Sequence, residues 1–400
     1  MFLGIIIAIF TGCFLGIFTG LIPGVHINMV SLLIVTVSPF LLHYVSPLFL
    51  AVVIISMAII HTFLDAIPSI FLGAPEDDTV LSVLPGHRLF LQGHGFEAVM
   101  LTIVGSVGAL AIAVALVPVI IPLVTIGYPL IKNFIGFILI VACCFLTFHE
   151  KKSRLWALIV FLISGVLGIG VLNISVLKDP LFPLLSGLFG ISMLLLSIKD
   201  NVKIPEQKTK DIELDAKTGA KALISSVVAG CVCSFMPGLG PSEAAIISSQ
   251  FTRNLGDKGF LVLVGGLNTV NMVLSFVALY VLDKPRNGAI VAVSKVIESF
   301  NYNHLVLFLG CALVVTGIAT FLAIFFSKIF SKMIVKVNYK LLCLGIIFFV
   351  AGLVFFLSGL LGFFVLIVST FVGMITALKG IGRNHMMGVL ILPVILYFML

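Results

Sequence analysis

Three ionisable side chains lie inside long apolar stretches of the sequence. Asp65 falls in an apolar helix predicted over 47–72, and His61 comes four residues earlier on the same helix face. Glu243 directly follows a break in a second apolar segment. A charge inside a bilayer costs several kcal/mol, so such residues are functional candidates by default. They could bind a coupling cation or relay a proton, and pairing between His61 and Asp65, or extension of their side chains to the membrane surface, is the structural alternative.

Two Pro-Gly pairs, Pro23-Gly24 and Pro237-Gly238, interrupt apolar helices. Proline removes a backbone N–H and glycine tolerates the backbone of a turn, so a helix ends there and another begins. The new helix presents unpaired N–H groups and the positive end of its dipole, which favour an anion. Beside the two pairs themselves, the candidate substrate ligands around the breaks are His26, Asn28, Gly240 and Ser242.

The two breaks differ in the length and polarity of the segment on their C-terminal side. Residues 241–250 are too short and polar to cross a bilayer, which favours a re-entrant hairpin whose tip lines a cavity. Residues 27–45 are long enough to cross, so a simple loop between two full spans stays open for the first break.

Further polar residues are candidates for the same substrate site. Asn268 and Asn271 lie in an apolar segment over 259–282 and could either hydrogen-bond a substrate or hold helices together. Thr79 and Asn287, at helix starts that follow a proline, are candidates to line the same site. The acidic run 76–78 is interpreted first as a helix N-terminal cap.

Composition fixes the class of protein. Of 400 residues, 61% are hydrophobic and only 10% are charged, and the mean hydropathy is +1.30. Soluble globular chains average about 45–50% apolar and about 25% charged residues. The excess of basic residues sits in short clusters between apolar runs rather than on a polar domain, which argues against nucleic-acid binding. The sequence predicts an all-α polytopic membrane protein.

Membrane segments fall on both sides of one polar linker. They are predicted near 2–22, 27–45, 47–72, 97–125, 129–148, 155–172 and 180–198, then 220–236, 259–282, 303–327, 341–357, 359–378 and 385–400. The linker over 199–218 separates a first membrane repeat, 1–198, from a second, 219–400. Each half has a broken hairpin, a long span, a polar loop, an amphipathic segment and four spans, with about five crossings once the hairpin returns to its own side.

Basic residues predict the orientation. An odd number of crossings in each half inverts the second half relative to the first, and the lysines and arginines then divide into 18 on one side and 5 on the other. The positive-inside rule makes the richer side cytoplasmic. We therefore expect an inverted repeat in the plasma membrane, with the 199–218 linker inside and both termini outside.

The motifs resemble those of the large membrane subunit of tripartite tricarboxylate transporters, the TctA family. The similarity rests on Gly16-x-x-x-Gly20-Leu21-Ile22-Pro23-Gly24, on Met236-Pro237-Gly238-Leu239-Gly240-Pro241, and on the glycine- and histidine-containing segments 84–88 and 92–95. It covers nearly the whole chain as architecture, and its specific motifs cover about a tenth. The first break continues as Val25-His26, and the loop at 74–79 is acidic, so the chain resembles a compact, archaeal-type relative.

The resemblance implies cation-coupled import of a di- or tricarboxylate, with a small membrane subunit and an extracytoplasmic binding protein as partners. We expect a secondary transporter for a small organic anion, driven by Na⁺ or H⁺, with the substrate between two facing hairpin tips. No cofactor is expected beyond the coupling ion, membrane lipid surrounds the chain, and a homodimer is left open. The alternatives are transport or flipping of a lipid-linked phosphate, an intramembrane enzyme, and a channel or scaffold.

Overall fold

A computed structural model of the chain describes residues 2–22, 27–73, 83–148, 153–177, 180–199, 204–209, 212–236, 240–252 and 254–399. The described residues form helices joined by short connections, and no strand occurs among them. Eight helices in these ranges are long and apolar enough to cross a membrane. The prediction of an all-α polytopic membrane protein is therefore confirmed.

The first half contributes ten helices to the described chain. They are α1 (Phe2–Leu21), α2 (Ile27–Leu41), α3 (Pro47–Leu64), α4 (Ala66–Phe71), α5 (Val83–Leu91), α6 (Gly95–Ile131), α7 (Ile135–Phe148), α8 (Arg154–Leu172), α9 (Leu181–Leu185) and α10 (Ser192–Lys199). A π-helical segment, Ser186–Ile191, joins α9 to α10.

The second half contributes seven helices. They are α11 (Ala216–Phe235), α12 (Pro241–Phe251), α13 (Gly256–Leu282), α14 (Gly288–Val296), α15 (Tyr302–Ile334), α16 (Tyr339–Leu378) and α17 (Gly388–Met399). A 3₁₀ turn, Arg383–Met387, precedes α17.

Several helix starts are explained directly by the sequence. Ser46 caps α3 by accepting a hydrogen bond from the Phe49 N–H, with Pro47 at the first helical position, where its missing N–H costs nothing. Asp215 caps α11 in the same way, through the Thr218 N–H. These caps satisfy N–H groups that a helix cannot pair internally, so they fix where each span begins.

The segment bounds differ from prediction where one residue redirects the chain. The span predicted over 47–72 is divided at Asp65 into α3 and α4. The spans predicted over 341–357 and 359–378 are, by contrast, two helical segments of α16 that meet at Gly359, where φ is 66° and ψ is −165°, values that are not helical. That positive φ is a conformation that glycine adopts without strain, so the chain redirects there with no loop.

Helices α3 and α13 form the centre of one packing group, which also contains α1, α2, α4 to α6, α11, α12, α14 and α15. Small residues let α6 and α13 approach closely. A Cβ on Gly105 would collide with the Val262 carbonyl oxygen, and the Ser106 hydroxyl donates to the Gly265 carbonyl at 2.9 Å. Close backbone approach through small residues is the usual way in which helices associate inside a bilayer.

A second, peripheral packing group contains α7 to α10, α16 and α17. Within it, α8 packs on α17, and α16 packs on the Ser186–Ile191 segment. Gly168 meets the Val389 carbonyl and Gly373 meets the Leu188 carbonyl, both too closely to admit a side chain. Among the described helices, the closest packing lies within each group rather than between them.

The described part of the 199–218 linker is fixed to the packing group that is centred on α3 and α13. Gln207 donates to the Phe90 carbonyl at 3.1 Å and accepts from the Gly95 N–H at 2.9 Å. Glu97, at the start of α6, pairs with Lys258 of α13 at 2.6 Å and accepts from the Glu213 N–H at 3.2 Å. The segment therefore ties the start of α6 to the start of α13. The division of the chain into two repeats, with the second inverted, stays a prediction.

Candidate functional site

A buried hydrogen bond joins the two central helices. The Asn268 side-chain amide on α13 donates to Asp65 Oδ2 at 3.3 Å, and the two residues are only 2% and 1% exposed. Asp65 lies at the junction of α3 with α4, and its N–H donates to the His61 carbonyl at 2.9 Å. His61 is itself buried. Two candidates that are distant in the sequence, Asp65 and Asn268, are thus brought together.

The first broken helix ends at the depth of Asp65. Helix α1 runs parallel to α3: Gly12 lies against Val53, Gly16 against Ile60, and Gly20 against Leu64. Helix α1 ends at Leu21, whereas the central span continues beyond Asp65 through Phe71. The six residues of α4 correspond to about 9 Å of helix. Helix α1 therefore ends before the adjacent span does, and α2 has only 15 residues.

The second broken helix ends near Asn271. Helix α11 runs parallel to α13, since the Ser226 hydroxyl contacts the Leu263 carbonyl at 3.1 Å and the Ser234 hydroxyl lies 3.3 Å from Asn271 Oδ1. Helix α11 ends one residue later, at Phe235, but α13 continues to Leu282. Both broken helices therefore end within about one helical turn of the Asp65–Asn268 pair.

Two helix N-termini meet beside this region. The Asn28 side chain, at the start of α2, lies against Gly288 at the start of α14, where a Cβ would be 2.5 Å from Asn28 Oδ1. Asn287 caps α14 by accepting from the Ile290 N–H at 2.9 Å, and its amide lies 3.6 Å from the Met272 sulfur of α13. Two positive dipole ends thus lie about one helical turn from Asn268.

A cationic side chain flanks the start of α14. Arg286 Nη2 donates to the Tyr128 hydroxyl at 3.0 Å, and its guanidinium carbon lies 5.5 Å from the centroid of the Tyr128 ring. Tyr128 belongs to the far end of α6, so the contact holds the arginine between that end of α6 and the start of α14. This position adds positive charge to that of the helix dipoles.

The remaining predicted site residues are described in part or not at all. Pro23, Gly24, His26, Thr79, Pro237 and Gly238 lie outside the described residues, and so does the side chain of Glu243, whose backbone belongs to α12. Gly240 precedes the first residue of α12, and Ser242 is buried in its first turn. No group of three or more His, Cys, Asp or Glu side chains suited to a metal ion occurs among the residues that are described.

Sequence reasoning missed the two contacts that complete this region. Gly288 was not singled out, although an asparagine followed by glycine after Pro285 indicates a capped helix start with room for a neighbour. Ser234 was also missed. Its position one residue before the end of α11 and its polar character in an apolar helix were the available signals.

Comparison with known proteins agrees with these features. The profile of the family described as "Tripartite tricarboxylate transporter TctA family" matches residues 6–388. The uncharacterized protein MJ1079 of Methanocaldococcus jannaschii is 31% identical over 355 residues, which cover 86% of this chain and 88% of that protein. No solved structure matches. The resemblance found from the two Pro-Gly breaks is confirmed.

Proposed function

This chain belongs to the tripartite tricarboxylate transporter TctA family, and from that premise we propose that it is a cation-coupled permease for a small di- or tricarboxylate. The family and the eight apolar helices make it a multi-pass membrane protein of a transporter family. Substrate, coupling ion and mechanism are the parts that we propose. The observation that carries the proposal is the buried Asp65–Asn268 pair, at the depth where both broken helices end.

Anion binding is assigned to the helix N-termini. Helices α2 and α14 meet at Asn28 and Gly288, and Arg286 adds a charge at their flank. Backbone N–H groups at a helix start bind carboxylates without a fixed counter-charge in the bilayer. In this proposal the second hairpin, with Gly240 and Ser242, supplies the facing half of the site. Pro23, Gly24, His26, Pro237, Gly238 and Thr79 stay proposed ligands from the sequence.

Cation coupling is assigned to Asp65, with His61, Asn268 and Asn271 around it. A carboxylate that is 1% exposed between two buried helices is costly unless its charge is compensated, so it favours a bound cation or proton. The Asn268 amide donates to Asp65 and orients the carboxylate without adding a charge, and Asn271 is proposed as a further neutral ligand about one turn along α13. Glu243, next to the second break, is proposed as the second coupling group.

Alternating access is proposed to occur between the two packing groups. The hairpins and the Asp65–Asn268 pair belong to one group, and the peripheral group packs mainly within itself. A body that keeps its own core while sliding past another conserves its buried contacts during the motion. The family description further suggests a binding protein and a membrane partner outside this chain. We also propose the orientation that the positive-inside rule gives, in which the 199–218 linker faces the cytoplasm and both termini lie outside.

Uptake into proteoliposomes tests the proposal. The purified chain, with and without added partner subunits, is assayed against labelled di- and tricarboxylates and inorganic phosphate, under Na⁺ or pH gradients. We expect gradient-driven uptake of a carboxylate, and Asp65→Asn should abolish the dependence on the gradient. Asp257→Asn is the matched control, because that carboxylate lies at the exposed start of α13 and pairs with Arg88 at 3.0 Å.

The outcomes separate the alternatives. If only phosphate compounds are taken up, the substrate is a phosphate compound and not a carboxylate. Gradient-driven uptake that survives in Asp65→Asn would remove Asp65 from the coupling site. Substrate binding without any accumulation would contradict a secondary transporter.

A further inference from the structure

A cluster of cations lies at one end of the peripheral group, where α8 begins and α16 ends. Lys379 follows the last residue of α16, and its Nζ is 4.4 Å from the ring centroid of Trp156, the single tryptophan of the chain. Arg154 opens α8 two residues before Trp156 and is exposed. Tryptophan is enriched where a membrane meets water, so this end of α8 has the character of an interface. We call Arg154, Trp156, Lys379 and Arg383 the basic patch.

Arg383 is the half-buried member of the basic patch. Its Nη1 donates to the carbonyl of Phe189 at 3.3 Å, inside the π-helical segment. Burial lowers the pKa of Arg383 to about 10, so the group is still charged at neutral pH. The described residues place no carboxylate within ion-pairing distance of Arg383 or Lys379. A guanidinium carries five N–H donors, so one carbonyl leaves most of its capacity for an anion.

Apolar side chains surround the basic patch on the outside of the helices. Leu155 is 67% exposed and Leu378 is 71% exposed, although each is next in sequence to a member of the patch. In a membrane protein such leucines face the acyl chains of lipids. Arg383 and Lys379, for which the described residues supply no carboxylate partner, therefore adjoin a surface suited to hydrocarbon, just as the phosphate of a phospholipid adjoins its acyl chains.

We propose that the basic patch binds the headgroup of an anionic phospholipid, with the phosphate on Arg383 and Lys379 and the acyl chains on Leu155 and Leu378. Arginine is well matched to the geometry of phosphate, and basic pockets between spanning helices take anionic headgroups. A free anion would gain nothing from the exposed leucines, so a lipid is the favoured source of the phosphate. The site lies in the peripheral group and does not depend on which cargo the chain carries.

Thermal stability in detergent tests this proposal. The purified protein is titrated with phosphatidylglycerol, with phosphatidylcholine of the same chain length, and with inorganic phosphate, and the apparent lipid affinity is read from the rise in Tm. We expect stabilisation by phosphatidylglycerol, and the Lys379→Gln/Arg383→Gln variant should bind it about tenfold to thirtyfold more weakly. Lys328→Gln/Lys332→Gln, which removes two exposed lysines from α15, is the charge-matched control and should behave like the wild type.

Other results would overturn the assignment. Equal stabilisation by the two lipids, or an unchanged affinity in the Lys379→Gln/Arg383→Gln variant, contradicts a headgroup site. Stabilisation by inorganic phosphate at similar concentration makes the patch a site for a soluble anion. If the Arg383 change prevents folding, Lys379→Gln and Arg383→Lys supply the comparison: the first should weaken binding and the second should largely retain it.

Discussion

Asn268 donates a hydrogen bond to Asp65 across 203 positions of the chain, at a point where both residues are nearly inaccessible to solvent. Each residue belongs to the most buried helix of its own half. The bond therefore joins the two halves at the depth where the broken helices end. A polar contact between spanning helices contributes modestly to stability, but one that holds an ionisable group also controls the charge at the centre of the protein.

Asn268→Ala should lower both stability and coupled uptake. The variant deprives a buried carboxylate of a donor, which costs about 1–3 kcal/mol. We expect a fall in Tm in detergent and weaker dependence of uptake on the driving gradient. Asn173→Ala is the control, because Asn173 is at the end of α8, where its amide donates locally to the Ile169 carbonyl. Equal effects of the two changes would contradict a special role for the Asp65–Asn268 bond.

Gly288→Ala should separate the two helix N-termini. The new methyl group would lie 2.5–2.9 Å from three atoms of Asn28, so α2 and α14 must move apart. We expect a large loss of uptake with little loss of folded protein, measured by size-exclusion chromatography. Gly317→Ala, which meets nothing within 4 Å, should be neutral.

A second change distinguishes steric from other effects at this junction. Asn28→Ala removes Oδ1 and Cγ, the two nearest of the three atoms that a methyl group on Gly288 would meet. If the collision causes the loss, adding Gly288→Ala should reduce uptake less in the Asn28→Ala background than in the wild type. Additive losses would contradict the contact.

Gly105→Ala should destabilise the central group. A Cβ there collides with the Val262 backbone, which cannot move without shifting α13. Overpacking of this kind costs about 1–3 kcal/mol, and we expect a corresponding fall in Tm. Gly127→Ala lies on the same helix and meets nothing within 4 Å, so it should leave Tm unchanged or slightly raised.

Acid should destabilise the protein through His87. This residue, in α5, is 3% exposed and its Nδ1 lies 2.9 Å from the Ile70 carbonyl. Burial lowers its pKa to about 4, below the value of about 6.5 for an unfolded chain. The folded protein therefore holds His87 in its neutral form. The contribution of His87 to the stability of the fold is complete above about pH 6.5 and is lost as the pH falls toward 4.

The measurement is Tm as a function of pH between 7 and 4. We expect His87→Gln to be less stable than wild type at pH 7 and to lose less stability than wild type on acidification. The exposed His43, changed to Gln, should leave the pH profile of the wild type unchanged. A wild-type profile that is flat over this interval would contradict the neutral, buried His87.

The anchored linker predicts a change in protease sensitivity. Gln207 makes two hydrogen bonds that fix the linker beside the start of α6, to Phe90 and Gly95. Gln207→Ala should therefore speed cleavage after Lys208 by a lysine-specific protease several-fold. Gln92→Ala, in the neighbouring turn, is the control for a general change of surface composition. Unaltered cleavage in Gln207→Ala would mean that the linker is held by other contacts.

Composition and charge predicted the class and most of the spans because apolar length is a local property of the sequence. Asp65 and Asn268 were each recognisable, since a polar residue in an apolar helix is conspicuous. Their pairing was not, because it depends on how helices from two halves rotate against each other. The same holds for Gly105, one of 37 glycines, whose importance comes from the particular backbone that faces it.

Local backbone departures were also beyond sequence reasoning. The π-helical Ser186–Ile191 segment lies within a stretch that reads as an ordinary apolar span, and it has no sequence signal distinct from that of other glycine-containing spans. The interruption of α16 at Gly359, in contrast, falls at the boundary predicted between the spans 341–357 and 359–378. The Glu97–Lys258 pair was missed because both residues lie at helix starts, where charges are common and carry little information.

The separation of Asp65 from Asn268 along the chain has a consequence for biosynthesis. At about 5–20 residues per second, a ribosome reaches Asn268 about 10–40 s after it has made Asp65. Throughout that interval the first half is already entering the membrane with its central carboxylate lacking the amide that will hold it. Insertion of α13 then completes the pair, so a step of assembly that comes after the whole first half has been made secures a carboxylate that is costly to bury in the bilayer.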